Sequence, residues 1–267
     1  MSAAPILTVN DLNIEFHDHL IPETVVYNFN LVLHPGEIVG IVGESGSGKS
    51  MCALAIAGLL RRHDMKKSGE IIFDGHDLLN CSRDILRKYQ GNDLSIVFQE
   101  PMTALNPVKR IGWQIEDPLR IHTKLSRAAR YEKAILMLKD VELLNPTRIY
   151  RQYPHELSGG MRQRVMIAMA MICEPRILIA DEITTALDVI IQLQVIELLQ
   201  RMNRERKTAI LFISHDLSLV RKLCERVIVL QGGNTVESGL TEMVFNNPEA
   251  DYTKRLIAAI PSVTHAN

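Results

Sequence analysis

The chain has 267 residues, 46% of them hydrophobic and 23% charged, with a formal net charge of −1. This is ordinary globular composition, and the near-neutral balance excludes bulk electrostatic attraction to nucleic acid. The four cysteines, Cys52, Cys81, Cys173 and Cys224, stand far apart with no CxxC pair, which argues against a disulfide framework or zinc site and fits a reduced compartment.

Residues 1–5 lack the basic flank and apolar run of a signal peptide. The longest apolar run, residues 165–173, is half of the ~18 residues that a bilayer span needs. Any membrane contact is therefore expected through partners.

Residues 6–9 and 12–16 predict opening strands. Residues 36–42 predict a strand that runs into Gly43-Glu44-Ser45-Gly46-Ser47-Gly48-Lys49-Ser50, with a helix from 49 to 60. This is the P-loop pattern in its strand–loop–helix setting. Its glycines let backbone N–H groups curl round phosphate oxygens, and the helix points its positive end at them. Lys49 is expected to bridge the β- and γ-phosphates, and the Ser50 hydroxyl to coordinate Mg²⁺.

Residues 70–73 with Asp74-Gly75 predict a strand and a tight turn, and residues 94–98 a further strand. Gln99 follows it, placed to sense the metal or the γ-phosphate. From 102 to 152 the pattern changes to polar helical periodicity, punctuated by Pro107, Pro118 and Pro146. This stretch reads as an inserted helical subdomain. Leu157-Ser158-Gly159-Gly160-Met161 then opens a helix over 159–173. Ser158 is a good N-cap and the two glycines permit close approach of an anion, although a capped helix start without a ligand explains the same residues.

A strand over 176–180 ends in Asp181-Glu182, two carboxylates at the edge where ligands of open α/β sheets gather. Asp181 is expected to hold Mg²⁺ indirectly, and Glu182 to orient and polarise the attacking water. A helix over 188–206 and a strand over 208–213 follow. His215 comes next, and its imidazole can donate to the γ-phosphate. A helix over 217–224, strands over 226–230 and 234–238 joined by Gly232-Gly233, and a terminal helix over 251–260 complete the chain. Such alternation implies a largely parallel sheet covered by helices.

P-loop, Gln99, signature pentapeptide, Asp181-Glu182 and His215 occur in one order at compatible spacing. Together they resemble the nucleotide-binding subunits of ATP-binding-cassette (ABC) proteins over nearly the whole chain. The resemblance implies an α/β fold: a P-loop NTPase cassette with a RecA-like core, an N-terminal antiparallel β-subdomain and an inserted α-helical subdomain. One ATPase domain is expected, with its core over 1–101 and 159–267 and the helical subdomain over 102–158. By the resemblance, Glu182, His215 and Gln99 are catalytic, and Ser50, Gln99 and Asp181 serve Mg²⁺. Ser158, Gly159, Gly160 and Met161 close over ATP held by a second ATPase subunit, identical or different. Asp188 acts across that dimer. Phe16 is the adenine platform, with Tyr27 as its rival.

Residues 97–107, 153–156, 161–169 and Tyr252-Thr253-Lys254-Arg255-Leu256 to Pro261 are similar to the peptide/nickel importer group. That implies two transmembrane permease subunits and an extracytoplasmic substrate-binding protein as partners. The chain would sit on the cytoplasmic face of the bacterial inner membrane and power import of a peptide, nickel or metal chelate, with no nucleic-acid partner. Two departures stand out. Ile183 replaces the usual proline after the catalytic Glu and is expected to leave that turn freer. No Cys-rich tail follows the terminal helix, which points towards shorter members such as nickel or metallophore importers. The alternative is a soluble ABC accessory subunit of a cytosolic enzyme complex such as phosphonate breakdown. Met161, Met166, Met169 and Met171 are expected to be packing residues, and His17-x-His19 a solvated turn.

Overall fold

The computed structural model describes residues 4–17, 22–60, 64–98, 104–185 and 187–260. They fall into two compact units, one taking residues 5–33, 38–79 and 212 onward, the other residues 34–37 and 80–211.

The first unit is built on strands β1 (Leu7–Phe16), β2 (Glu23–Leu33), β3 (Ile38–Val42), β4 (Met65–Phe73) and β5 (His76–Asp77). The later strands β9 (Arg226–Gln231) and β10 (Asn234–Leu240) join them, in the order β5-β4-β1-β2-β10-β9-β3. Every residue of β3 is buried, and it pairs in parallel with β9 from Val39↔Arg226 to Val42↔Val229. The antiparallel half is β5, β4, β1 and β2.

The two expected opening strands are one strand, interrupted by a bulge at Asp11, whose φ is +46°. The β2 strand was not foreseen, for a related reason. Val26 and Phe29 are both fully buried yet three residues apart, because Asn28 at φ +42° inserts an extra residue and breaks the period of two. The amides released at these bulges find side chains: Asp11 N–H donates to Asn30 Oδ1 and Asn28 N–H to Asn13 Oδ1, each at 3.0 Å. Helices α1 (Lys49–Ile56), α8 (Leu217–Leu223), α9 (Thr241–Asn246) and α10 (Asp251–Ala258) complete this unit.

In the second unit β6 (Leu94–Val97) pairs in parallel with β7 (Ile177–Asp181), from Leu94↔Ile177 to Val97↔Ala180. β8 (Ala209–Ile213) lies beside β7, and the division between the units falls within it, after Leu211. The helices are α2 (Arg83–Tyr89), α3 (Ile111–His122), α4 (Arg127–Asp140), α5 (Pro146–Arg151), α6 (Gly159–Met171) and α7 (Val189–Arg206). The α2 helix went unpredicted although Ser82 caps it, accepting from Ile85 N–H at 3.4 Å.

Helices α3, α4 and α5 pack on one another, and α3 and α4 also pack on α6. Their shared interior holds a charge. Glu116, 2% exposed, accepts from Arg120 at 3.0 Å, from Arg130 at 3.4 Å and from the Tyr150 hydroxyl. Burial, and then the Glu116 carboxylate, push the Tyr150 phenol up to about 12. Gly112 makes room for that ring, since a Cβ there would stand 2.2 Å from Tyr150 Cδ2.

Candidate nucleotide site

The phosphate loop joins β3 to α1 in the first unit. Gly43 (φ +152°), Gly46 (φ +80°) and Gly48 (φ +98°) all adopt backbone that L side chains rarely take. A Cβ on Gly43 would stand 2.2 Å from the Leu230 carbonyl, and one on Gly48 2.8 Å from the Val25 carbonyl. At Gly46 nothing lies within 4 Å, so the crest of the loop is open. Lys49 is 4% exposed and turns back along the loop, donating to Gly43 O at 2.9 Å and Glu44 O at 2.8 Å. Helix α1 begins at Gly48 with no side-chain cap. Ser47 Oγ is buried and finds no hydrogen-bond partner among the described residues. An unpaired buried hydroxyl beside an uncapped helix start fits a phosphate ligand. Ser50 is half-buried on the first turn of α1.

Other strands brace this loop. Gly233 N–H donates to Ser47 O at 3.1 Å, and Tyr27 N–H to Gly233 O at 2.9 Å. Phe16 and Tyr27, the two candidate adenine platforms, therefore both lie near the stretch of β2 that touches Gly48: Phe16 pairs with Glu23, and Tyr27 is two residues beyond Val25. Tyr27 is the one tied directly to the loop's neighbour Gly233. After β8, Ser214 N–H reaches Ile41 O at 3.3 Å, and Ser214 Oγ accepts from Asp216 N–H at 2.9 Å. His215 is exposed between them, in the same unit as the loop.

The second unit holds the other group of candidates. Asp181 is buried at the end of β7, and Glu182 stands next at φ +50°. A left-handed Glu costs about 1–2 kcal/mol, and such strain collects where function demands a geometry. Ile183, at the position expected to free this turn, has a fully buried side chain. Asp188 caps α7 by accepting from Ile191 N–H at 3.0 Å. Ser158 caps α6, accepting from Met161 N–H at 3.4 Å. Ser158 and Gly159 are exposed, and nothing lies within 4 Å of a Cβ on Gly159. Gly160 instead packs against Ile191. The signature thus presents an open helix N-terminus, a form suited to an anion.

Gln99 lies outside the described residues, as do His19 and residues 261–267. His17 Nε2 pairs with the Glu15 carboxylate at 3.1 Å. Among the described residues no three His, Cys, Asp or Glu side chains gather to hold a metal. Met166 and Met171 are buried as packing residues. Among the described residues the four cysteines form no disulfide. Burial pushes Cys173 up to about 11 and Cys52 up to about 12, and also raises Cys224, which favours the protonated thiols.

Residues 26–185 match the profile of the family described as ABC transporter. The chain belongs to this family. It is 45% identical to a putative peptide import ATP-binding protein of Brucella melitensis, over 100% of this chain and 80% of that protein. Identity is 45% to the probable D,D-dipeptide transport ATP-binding protein DdpD of Escherichia coli, over 96% and 79%. To the oligopeptide transport ATP-binding protein OppD of Escherichia coli it is 44%, over 97% and 77%. The dimeric post-hydrolysis structure of the ATP-binding cassette MJ0796, bound to ADP and phosphate, superposes with a TM-score of 0.79 at 29% identity. That match covers 88% of this chain and 98% of that one. CbiO1 from Clostridium perfringens, part of the transporter complex cbiONQ, gives 0.76 at 27% identity, over 91% and 92%. The α/β cassette fold and ATPase class expected from the sequence are therefore borne out, and this ABC ATPase binds ATP. No helix among its described residues is long and apolar enough to cross a membrane.

Proposed function

We propose that this ABC ATPase is the ATP-hydrolysing subunit of a peptide importer. The phosphate loop carries the ATPase part of the reading: it closes Gly43 and Gly48 to any side chain and buries an unpartnered Ser47 hydroxyl. Full-length likeness at 44–45% identity to proteins named for peptide and dipeptide transport supports the cargo class. Nickel or a metal chelate is the finer alternative within the same group.

In this reading the loop amides and Lys49 bind the β- and γ-phosphates, and Glu182 accepts a hydrogen bond from water and aligns it for attack. His215 donates to the γ-phosphate, and Gln99 reports its presence. Ser50 and Asp181, with Gln99, would hold Mg²⁺, which when bound neutralises phosphate charge. The open helix start at Ser158, Gly159, Gly160 and Met161 serves the nucleotide of a second ATPase subunit, and Asp188 acts at that dimer. ATP drives closure only by its differential affinity for the closed pair. Two permease subunits and an extracytoplasmic binding protein complete the machine, which places this subunit on the inner face of the bacterial plasma membrane.

The test is to isolate the tagged chain from detergent-solubilised membranes. Permease subunits, a partner ATPase and hydrolysis stimulated by a peptide-loaded binding protein are expected. Isolation from the cytosol with soluble enzyme subunits would overturn the importer reading.

A further inference from the structure

The Tyr252–Leu256 segment is similar to importer subunits in sequence, yet none of the roles above uses it. Its first residue has a specific partner. The Tyr252 hydroxyl accepts from the Glu44 backbone N–H at 3.0 Å, across 208 positions of chain. The carbonyls of Glu44 and Gly43 in turn accept from Lys49. Tyr252 is itself buried at 6% exposure. Its helix α10 is anchored one turn earlier by Glu237, whose carboxylate accepts from Glu249 N–H at 3.0 Å and Ala250 N–H at 3.1 Å. A cleft of about 270 Å³, lined by Glu44, Gln231, Tyr252, Arg255 and Leu256, borders the contact.

We propose that Tyr252 is a positioning residue for the phosphate loop, through which the terminal helix sets the loop's affinity for ATP. The proposal rests on the reading of this loop as the ATP site. The hydroxyl directs the Glu44 amide outward, to the α10 side, and so fixes the peptide that follows Gly43. Gly43 before it admits no side chain, since a Cβ there would stand 2.2 Å from the Leu230 carbonyl and 2.7 Å from Ser47 Oγ. Without the hydroxyl, water from the cleft satisfies the Glu44 amide and the loop samples other orientations. Affinity then falls by the fraction of time the competent loop is lost.

The experiment is Tyr252→Phe in the full chain, which keeps the buried ring and removes one acceptor. Losing one neutral hydrogen bond bounds the effect, so the Kd for Mg-ATP should rise about three- to tenfold. The kcat at saturating ATP should hold within about twofold, since a pure binding loss leaves it unchanged. Lys49→Ala is measured alongside. If Lys49→Ala abolishes binding while Tyr252→Phe leaves Kd unchanged, the positioning role is overturned and the ATP site stands. A fall in kcat at unchanged Kd overturns it equally. If Lys49→Ala itself leaves binding intact, the loop reading fails and this proposal fails with it.

Discussion

Gly160 and Ile191 approach so closely that a Cβ on Gly160 would stand 3.0 Å from Ile191 Cγ2. The contact joins the start of the signature helix α6 to the start of α7, which Asp188 caps. Helices α6 and α7 therefore cannot move independently at this point without opening a gap or a clash.

Gly160→Ala should separate packing from activity. The Ile191 methyl must yield by a few tenths of an ångström, costing about 1 kcal/mol, while helix propensity returns up to about 1 kcal/mol. Thermal unfolding should shift by less than about 4 °C. If the proposed shared site is right, ATP hydrolysis by the assembled pair should fall about tenfold, because the displaced helix start would be misaligned with the second subunit's nucleotide. Unchanged hydrolysis would show that the close contact is only structural.

The loop glycines should differ sharply. Gly43→Ala meets the Leu230 carbonyl at 2.2 Å and should cost at least about 3 kcal/mol. Gly46→Ala meets open space and carries only the left-handed backbone penalty, about 1–2 kcal/mol. Urea unfolding of the nucleotide-free protein reads both, and equal losses would refute the asymmetry.

Glu182→Gln keeps shape and backbone but removes the carboxylate. Stability should be nearly unchanged, since Gln meets the same left-handed geometry at φ +50°. Phosphate release should drop by about 10²- to 10⁴-fold, and Mg-ATP should hold the pair in a dimer visible by size-exclusion chromatography. Turnover at the native rate would move the base elsewhere.

Acid sensitivity should trace partly to Glu142. Hydrogen bonding from Arg164, joined by Arg201, outweighs burial and holds the Glu142 carboxyl below the usual carboxylate range. Arg164 donates to Glu142 at 2.8 Å, and Arg201 at 2.6 Å. A depressed folded pKa gives stability that is present above the unfolded value, about 4.3 for Glu. That stability is lost as pH falls through the folded value. Glu142→Gln should flatten this part of the pH–stability curve below about pH 4.5 and leave the slope near pH 8 alone. An unaltered acid limb would refute the assignment.

The site was legible in the sequence wherever its chemistry is local. The phosphate loop shows itself by glycine spacing between an apolar run and a helical one, and Ser158 by its place before two glycines. Asp181 and Glu182 follow a strand, β7, whose residues are all buried. The β2 strand was lost because Asn28 breaks the alternation on which strand reading depends. The choice between Phe16 and Tyr27 stayed open because aromatic residues on neighbouring strands look alike until the strands are paired.

The sequence by itself determined the order and type of the chemical groups, and with them the family, because glycine freedom, helix capping and apolar periodicity act within a few residues. The tertiary structure alone decided how those groups are held. Ile183 is buried next to Glu182, Ile191 packs against Gly160, and Tyr252 grips the Glu44 amide from 208 residues away. Such contacts leave no local pattern, because packing and hydrogen-bond pairing choose partners by position in space, not by separation along the chain.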